Sequence, residues 1–66
     1  MSSDIVTLKS GLTARWRLDG EYVHLDHDEY KKASMKLLLG KSAEASALWM
    51  LKELDREIKL GIARKS

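Results

Sequence analysis

The stretch from Ser42 to Ile62, SAEASALWMLKELDREIKLGI, constrains this chain most, because it reads as one amphipathic helix that is apolar on two sides. At 100° per residue, Ala43, Ala47, Met50, Leu51, Leu54, Ile58 and Ile62 fall in a stripe roughly 120° wide, which must face a core. Trp49 and Leu60 lie about 160° from the centre of that stripe, on a back face shared with Glu53 and Arg56. A helix of this kind has to be covered from more than one direction. Ser42 is a suitable N-cap, and Gly61 marks the end of the regular turns, with Ile62 continuing the stripe.

The rest of the chain is short, and that limits how the helix can be covered. Sixty-six residues bury only about 60% of their unfolded surface, at the lower edge of independent folding. The sequence has no Cys, so neither a disulfide framework nor a thiolate metal site can add stability, and self-association is the expected supplement. The apolar fraction of 44% with no Pro excludes a disordered chain. The longest apolar runs, Leu37–Leu39 and Ala47–Leu51, are too short for a signal peptide or a membrane span, which implies a cytoplasmic protein.

The net charge of +2 comes from the tail. Residues 1–25 balance Lys9, Arg15 and Arg17 against Asp4, Asp19 and Glu21; residues 26–40 balance three Lys against Asp26, Asp28 and Glu29; residues 41–60 also cancel. Arg64 and Lys65 remain, in a basic tail over residues 63–66. No global field recruits a polyanion, so a nucleic-acid site would have to be a local patch.

In the first half, residues 1–4 read as a frayed terminus, and Ile5–Leu8 as a short strand or a single helical turn. Leu12–Leu25 holds two alternating runs around Asp19-Gly20, the signal of a β-hairpin with a two-residue type I′ turn. That turn sets Leu18 opposite Glu21, Arg17 opposite Tyr22, Trp16 opposite Val23, Arg15 opposite His24 and Ala14 opposite Leu25. One face then carries Ala14, Trp16, Leu18, Val23 and Leu25; the other carries Thr13, Arg15, Arg17, Tyr22 and His24.

Asp26 has the position of an N-cap, and Glu29 completes a capping-box spacing, so a helix A is predicted over residues 27–39. Tyr30, Ala33, Leu37 and Leu38 would face inward, with Met35 and Leu39 as surplus apolar surface. Gly40 would end helix A, and the short link to Ser42 would make helices A and B (residues 43–62) an antiparallel αα-hairpin.

Candidate chemistry is sparse. His24, Asp26, His27 and Asp28 could suggest a metal site, but the spacing recurs in no ligand motif and each residue has a structural role, so no metal or cofactor is expected. No Ser or other nucleophile has a base positioned by a third group, so the chain reads as non-enzymatic, without a small-molecule substrate. Thr13, Arg15, Arg17, Tyr22 and His24 form a basic and aromatic hairpin face that could read a DNA major groove. The bland alternative is a solvated face with Tyr22 stacked on Arg17. The order of strand, helix, turn and helix resembles the ribbon-helix-helix repressors in outline, although there each protomer supplies one strand of the ribbon. No residue roles follow from that outline.

The sequence therefore implies one α+β domain: a β-hairpin, or a three-stranded meander, followed by a two-helix hairpin in ββαα order and paired as a homodimer. The expected function is protein–protein interaction, with a second copy or another protein held through Met35, Leu39, Trp49, Met50, Leu60 and the outer hairpin face. A DNA-binding regulator using Arg15 and Arg17 is the alternative.

Overall fold

A computed structural model describes residues 4–65. Four strands precede a single helix: β1 (Asp4–Thr7), β2 (Thr13–Asp19), β3 (Tyr22–Asp26), β4 (Ala33–Lys36) and α1 (Ala43–Leu60). The strands form one antiparallel sheet in the order β1-β2-β3-β4, each beside its neighbour in sequence. The class is α+β, as expected. Residues 1–3 of the supposed frayed terminus, and Ser66 of the tail, lie outside the described residues. Asp4 is the first residue of β1, opposite Trp16.

The hairpin of β2 and β3 forms, but its register differs from the predicted one by two residues. Asp19 pairs with Tyr22, Leu18 with Val23, Arg17 with His24, Trp16 with Leu25 and Arg15 with Asp26. The two loop residues are Gly20 and Glu21, not Asp19 and Gly20. Gly20 has φ 60° and, among the described residues, no non-glycine residue has positive φ, so only the first loop position is left-handed, the pattern of a type II′ turn with Gly leading. A slip of two residues preserves the faces, because side chains alternate with period two. Ala14, Val23 and Leu25 are buried with Val6 from β1, while Arg15, Arg17 and Tyr22 are exposed.

Helix A does not form. Residues 27–32 are loop, and residues 33–36 add a fourth strand, with Leu25 opposite Ala33, Val23 opposite Met35 and Tyr22 opposite Lys36. The capping-box groups are engaged elsewhere. Asp26 ends β3 opposite Arg15, and the backbone N–H of Glu29 donates to His27 Nδ1 at 3.1 Å. The physical reason is the open edge of β3: a strand there satisfies backbone groups and brings Met35 and Leu37 against the core, which outweighs local helix propensity. The alternation Ala33, Ser34, Met35, Lys36, Leu37 is a strand pattern. The order is thus ββββα, and the outline likeness to ribbon-helix-helix proteins disappears with the second helix.

The long helix forms as one rod but stops at Leu60, short of the predicted Ile62. Ser42 caps its start by accepting from the Ala45 N–H at 3.1 Å, and Gly61 closes its end at φ 74°. The Ile62 and Ala63 N–H groups fold back onto the Glu57 carbonyl at 2.9 and 3.2 Å, which satisfies the last turn and reverses the chain. The tail then crosses the loop before β4, where the Lys31 N–H donates to the Arg64 carbonyl at 3.1 Å and Tyr30 bridges to Lys65.

α1 lies across the inner sheet face, where Ala47, Met50 and Leu51 meet Val6, Ala14, Val23 and Leu25. Leu48, Lys52, Asp55 and Lys59 run along the β1 side of the helix beside Thr7 and Leu8. Asp55 and Lys59 form an i,i+4 pair at 3.1 Å, and Ser10 reaches Asp55 at 3.5 Å. Leu51 and Val23 are the largest side chains fully removed from solvent. Leu51→Ala is expected to cost about 2–5 kcal/mol, a large share of the stability of so small a unit. Gly61→Ala should cost on the order of 1 kcal/mol through strain at the left-handed cap. Urea denaturation followed by circular dichroism measures both.

Candidate interaction surfaces

Two surfaces remain after the core is packed: the outer face of the sheet and the side of the molecule formed by β4 and α1.

The outer face is built from the residues that alternate away from the helix. Its rows run Arg17, His24, Ser34 and Asp19, Tyr22, Lys36 across β2, β3 and β4. The sequence placed Thr13, Arg15, Arg17, Tyr22 and His24 together, and they do share this face. Their partners differ from the expected ones. Tyr22 stands between Asp19 and Lys36, not across from Arg17, and His24 stands across from Arg17, not Arg15. Acidic groups are interleaved. Arg15 contacts Asp28 at 3.2 Å, His24 Nε2 lies 3.9 Å from Asp19, and Lys36 lies 3.7 Å from Glu21. A shallow hollow on this face is lined by Arg15, Arg17, His24, Asp26, Lys32 and Ser34. Its charge is mixed, and the pairs are exposed, so each contributes little energy.

The two histidines have different surroundings. His24 is on the outer sheet face, while His27 packs edge-on against Tyr30 with ring centroids 5.1 Å apart. Among the described residues no three His, Asp or Glu side chains converge as a metal site.

The second surface carries an apolar ridge. The helix turns its Ala47, Met50 and Leu51 stripe into the core, and Trp49 leans toward β4, where it remains 56% exposed. A groove of about 410 Å³ beside it is lined by Met35, Leu38, Lys41, Ala45, Ser46 and Trp49. A second groove continues along α1 between Lys32, Ala33 and Met35 on one side and Glu53, Leu54 and Ile62 on the other, with Trp49 and Met35 again in its wall. Trp49 is therefore neither core nor isolated in solvent: it forms the ridge between two grooves next to a sheet edge.

The predicted contact residues distribute unevenly over this surface. Met35 and Trp49 come together on it. Met50 is only 6% exposed and belongs to the core; as part of the buried stripe it cannot also be a free anchor. Leu39 is fully exposed, but it sits at the tip of the Leu38–Lys41 turn and lines neither groove. Leu60 is exposed at the far end of α1, about 16 Å along the axis from Trp49. Leu38 and Ala45 line the groove beside Trp49 and are absent from the contact residues that the sequence pattern singles out. Leu38 was assigned to the inner side of a helix that does not form, and Ala45 has too small a side chain to stand out in a periodicity.

One buried polar atom has no partner among the described residues: the Trp16 indole nitrogen. Trp16 packs against the core from β2, so this unsatisfied donor is a local cost of about 1–3 kcal/mol set against the burial of a large ring.

Neither the family models, nor the curated proteins, nor the solved structures yielded a match to this chain.

The two tryptophans should separate in stability measurements. Trp16→Ala is expected to cost about 2–4 kcal/mol, toward the lower part of the range for large aromatics, because the ring is partly buried against the core. Trp49→Ala in the isolated protomer should cost less than about 1 kcal/mol, as a surface substitution does. In the Trp49→Phe variant the remaining Trp16 emission should be blue-shifted and poorly quenched by acrylamide.

Proposed function

We propose that this protein is a non-enzymatic interaction module that docks a protein surface through the side formed by α1 and β4. The observation that carries this reading is the Trp49 ridge: a large aromatic, 56% exposed, flanked by Met35 and Leu38 beside an open sheet edge. Trp is favoured as a contact anchor because it removes much apolar area from water while retaining a polar N–H. A clustered apolar surface on a small protein marks a contact site more often than it marks idle surface. The balance of acids and bases along residues 1–60 agrees with a partner that is not a polyanion.

The alternative is a DNA-binding regulator that uses Arg15 and Arg17, and the sheet geometry weighs against insertion into a groove. The hairpin is the middle of a four-stranded sheet, and the narrowest extent of the molecule is 18 Å. The major groove of B-DNA is about 12 Å wide and admits a two-stranded ribbon. Arg15 is also already engaged by Asp28.

No helix among the described residues is long and apolar enough to cross a membrane.

The experiment is affinity capture from a native cell extract with the wild-type protein and with Trp49→Ala, each with and without nuclease. The expected result is nuclease-resistant capture of protein, weakened by at least about 2 kcal/mol in Trp49→Ala while the fold persists by circular dichroism. Capture of nucleic acid that falls steeply with salt and is abolished by Arg15→Ala with Arg17→Ala would replace this reading with the alternative.

A further inference from the structure

The occupant of the β4 edge can be argued from the strand itself. The Leu37 N–H donates to the Glu21 carbonyl at 2.6 Å, so Leu37, Met35 and Ala33 turn their backbone groups toward β3. By the alternation of an antiparallel ladder, Ser34 and Lys36 turn theirs outward, away from the sheet. The C-terminal tail covers the chain at Tyr30 and Lys31, and the free part of the edge begins after it. The apolar grooves on either side of Trp49 border this same free segment.

We propose that β4 pairs antiparallel with β4 of a second copy about a two-fold axis at Met35, joining two four-stranded sheets into one of eight strands. This rests on the reading that the α1–β4 side is the contact surface, and it names the partner there.

Charge disfavours the two neighbouring registers. If the axis passes through Ser34, Lys36 falls directly opposite Lys32 of the partner; if it passes through Lys36, two copies of Lys36 face each other. Like charges directly opposite destabilise a strand pair. With the axis at Met35, Lys36 lies opposite Ser34 and Lys32 opposite Leu38 across the interface, so no two lysines are directly opposed. Lys36 also has Glu21 of its own chain 3.7 Å away, which offsets the remaining diagonal repulsion. The two Met35 side chains then meet on the inner face, beneath Trp49 of each protomer. An isologous contact of this kind is closed and cannot grow into a fibre. It covers the edge and the apolar ridge together, and supplies the extra burial that a chain of 66 residues needs.

Light scattering after size exclusion at micromolar concentration should give twice 7.5 kDa, that is 15 kDa. The Trp49 emission should shift to the blue as concentration rises through the dissociation constant. Ser34→Pro removes an outward N–H without removing a bond to β3, so the protomer should keep its sheet by circular dichroism while dimer affinity falls at least tenfold. Ser34→Glu tests the register, since it places a carboxylate opposite Lys36 of the partner and should tighten the dimer roughly two- to tenfold at low salt. A weaker Ser34→Glu dimer would overturn the Met35 axis, because that result requires the two glutamates to face each other. A 7.5 kDa species throughout, or a dimer that Ser34→Pro leaves intact, would overturn the β4 pairing. A monomer whose capture of other proteins still depends on Trp49 would reject the second copy and keep the interaction reading; loss of that dependence would reject both.

Discussion

The contact between the Ala47, Met50 and Leu51 stripe of α1 and the Val6, Ala14, Val23 and Leu25 face of the sheet places every other group in this protein. Each half draws its stability from the other. An isolated helix of 18 residues is marginal in water, and an uncovered sheet would present a row of aliphatic side chains to solvent. Once they pack, the rotation of the helix is settled. Leu48, Lys52 and Asp55 are carried to the β1 side, where Ser10 meets Asp55, and Trp49 is carried to the β4 side, where it lines the same grooves as Met35. The asymmetry between a polar side and an apolar side is a product of that rotation.

The two broad surfaces of the molecule then differ in chemistry for a simple reason. The outer sheet face is made of the alternate residues of strands whose other residues are core, and it carries cations and anions in adjacent rows. Its ion pairs, such as Arg15 with Asp28, keep it hydrated and give it little net field. The α1–β4 side is organised differently. Lys41 borders one of its grooves, and Lys31, Lys32, Glu53, Glu57 and Arg64 border the other, while Trp49 and Met35 form the apolar ridge between them.

Features encoded by residues close in sequence were legible before the structure. The Ser42 cap, the Ala43 to Leu54 part of the α1 stripe and the two faces of the hairpin depend on local spacing and are found as expected, whereas Ile62 lies beyond the helix and is exposed. The hairpin register was off by two because Asp19-Gly20 and Gly20-Glu21 are both acceptable turns, and the alternating pattern is blind to an even slip. Residues 27–39 failed for a different reason. Their Lys, Ala, Met and Leu content and the Asp26–Glu29 spacing all favour a helix locally, while the free edge of β3 is a demand made from another part of the chain. The surplus of apolar surface at Trp49 was visible in the periodicity, but its neighbours were not, since Leu38 reaches it only once β4 is a strand.

The meander has one more consequence, which concerns the order in which the polypeptide is made. Every strand pairs with the one synthesised just before it, so the sheet can zip up from its beginning with only short loops to close. Its lid comes last. On the ribosome, a nascent sheet with Val23 and Leu25 uncovered must wait until the segment around Leu51 has left the exit tunnel. Through that interval the growing chain is a greasy, half-finished object, and the speed with which α1 coils and lands decides whether it matures or sticks to its neighbours.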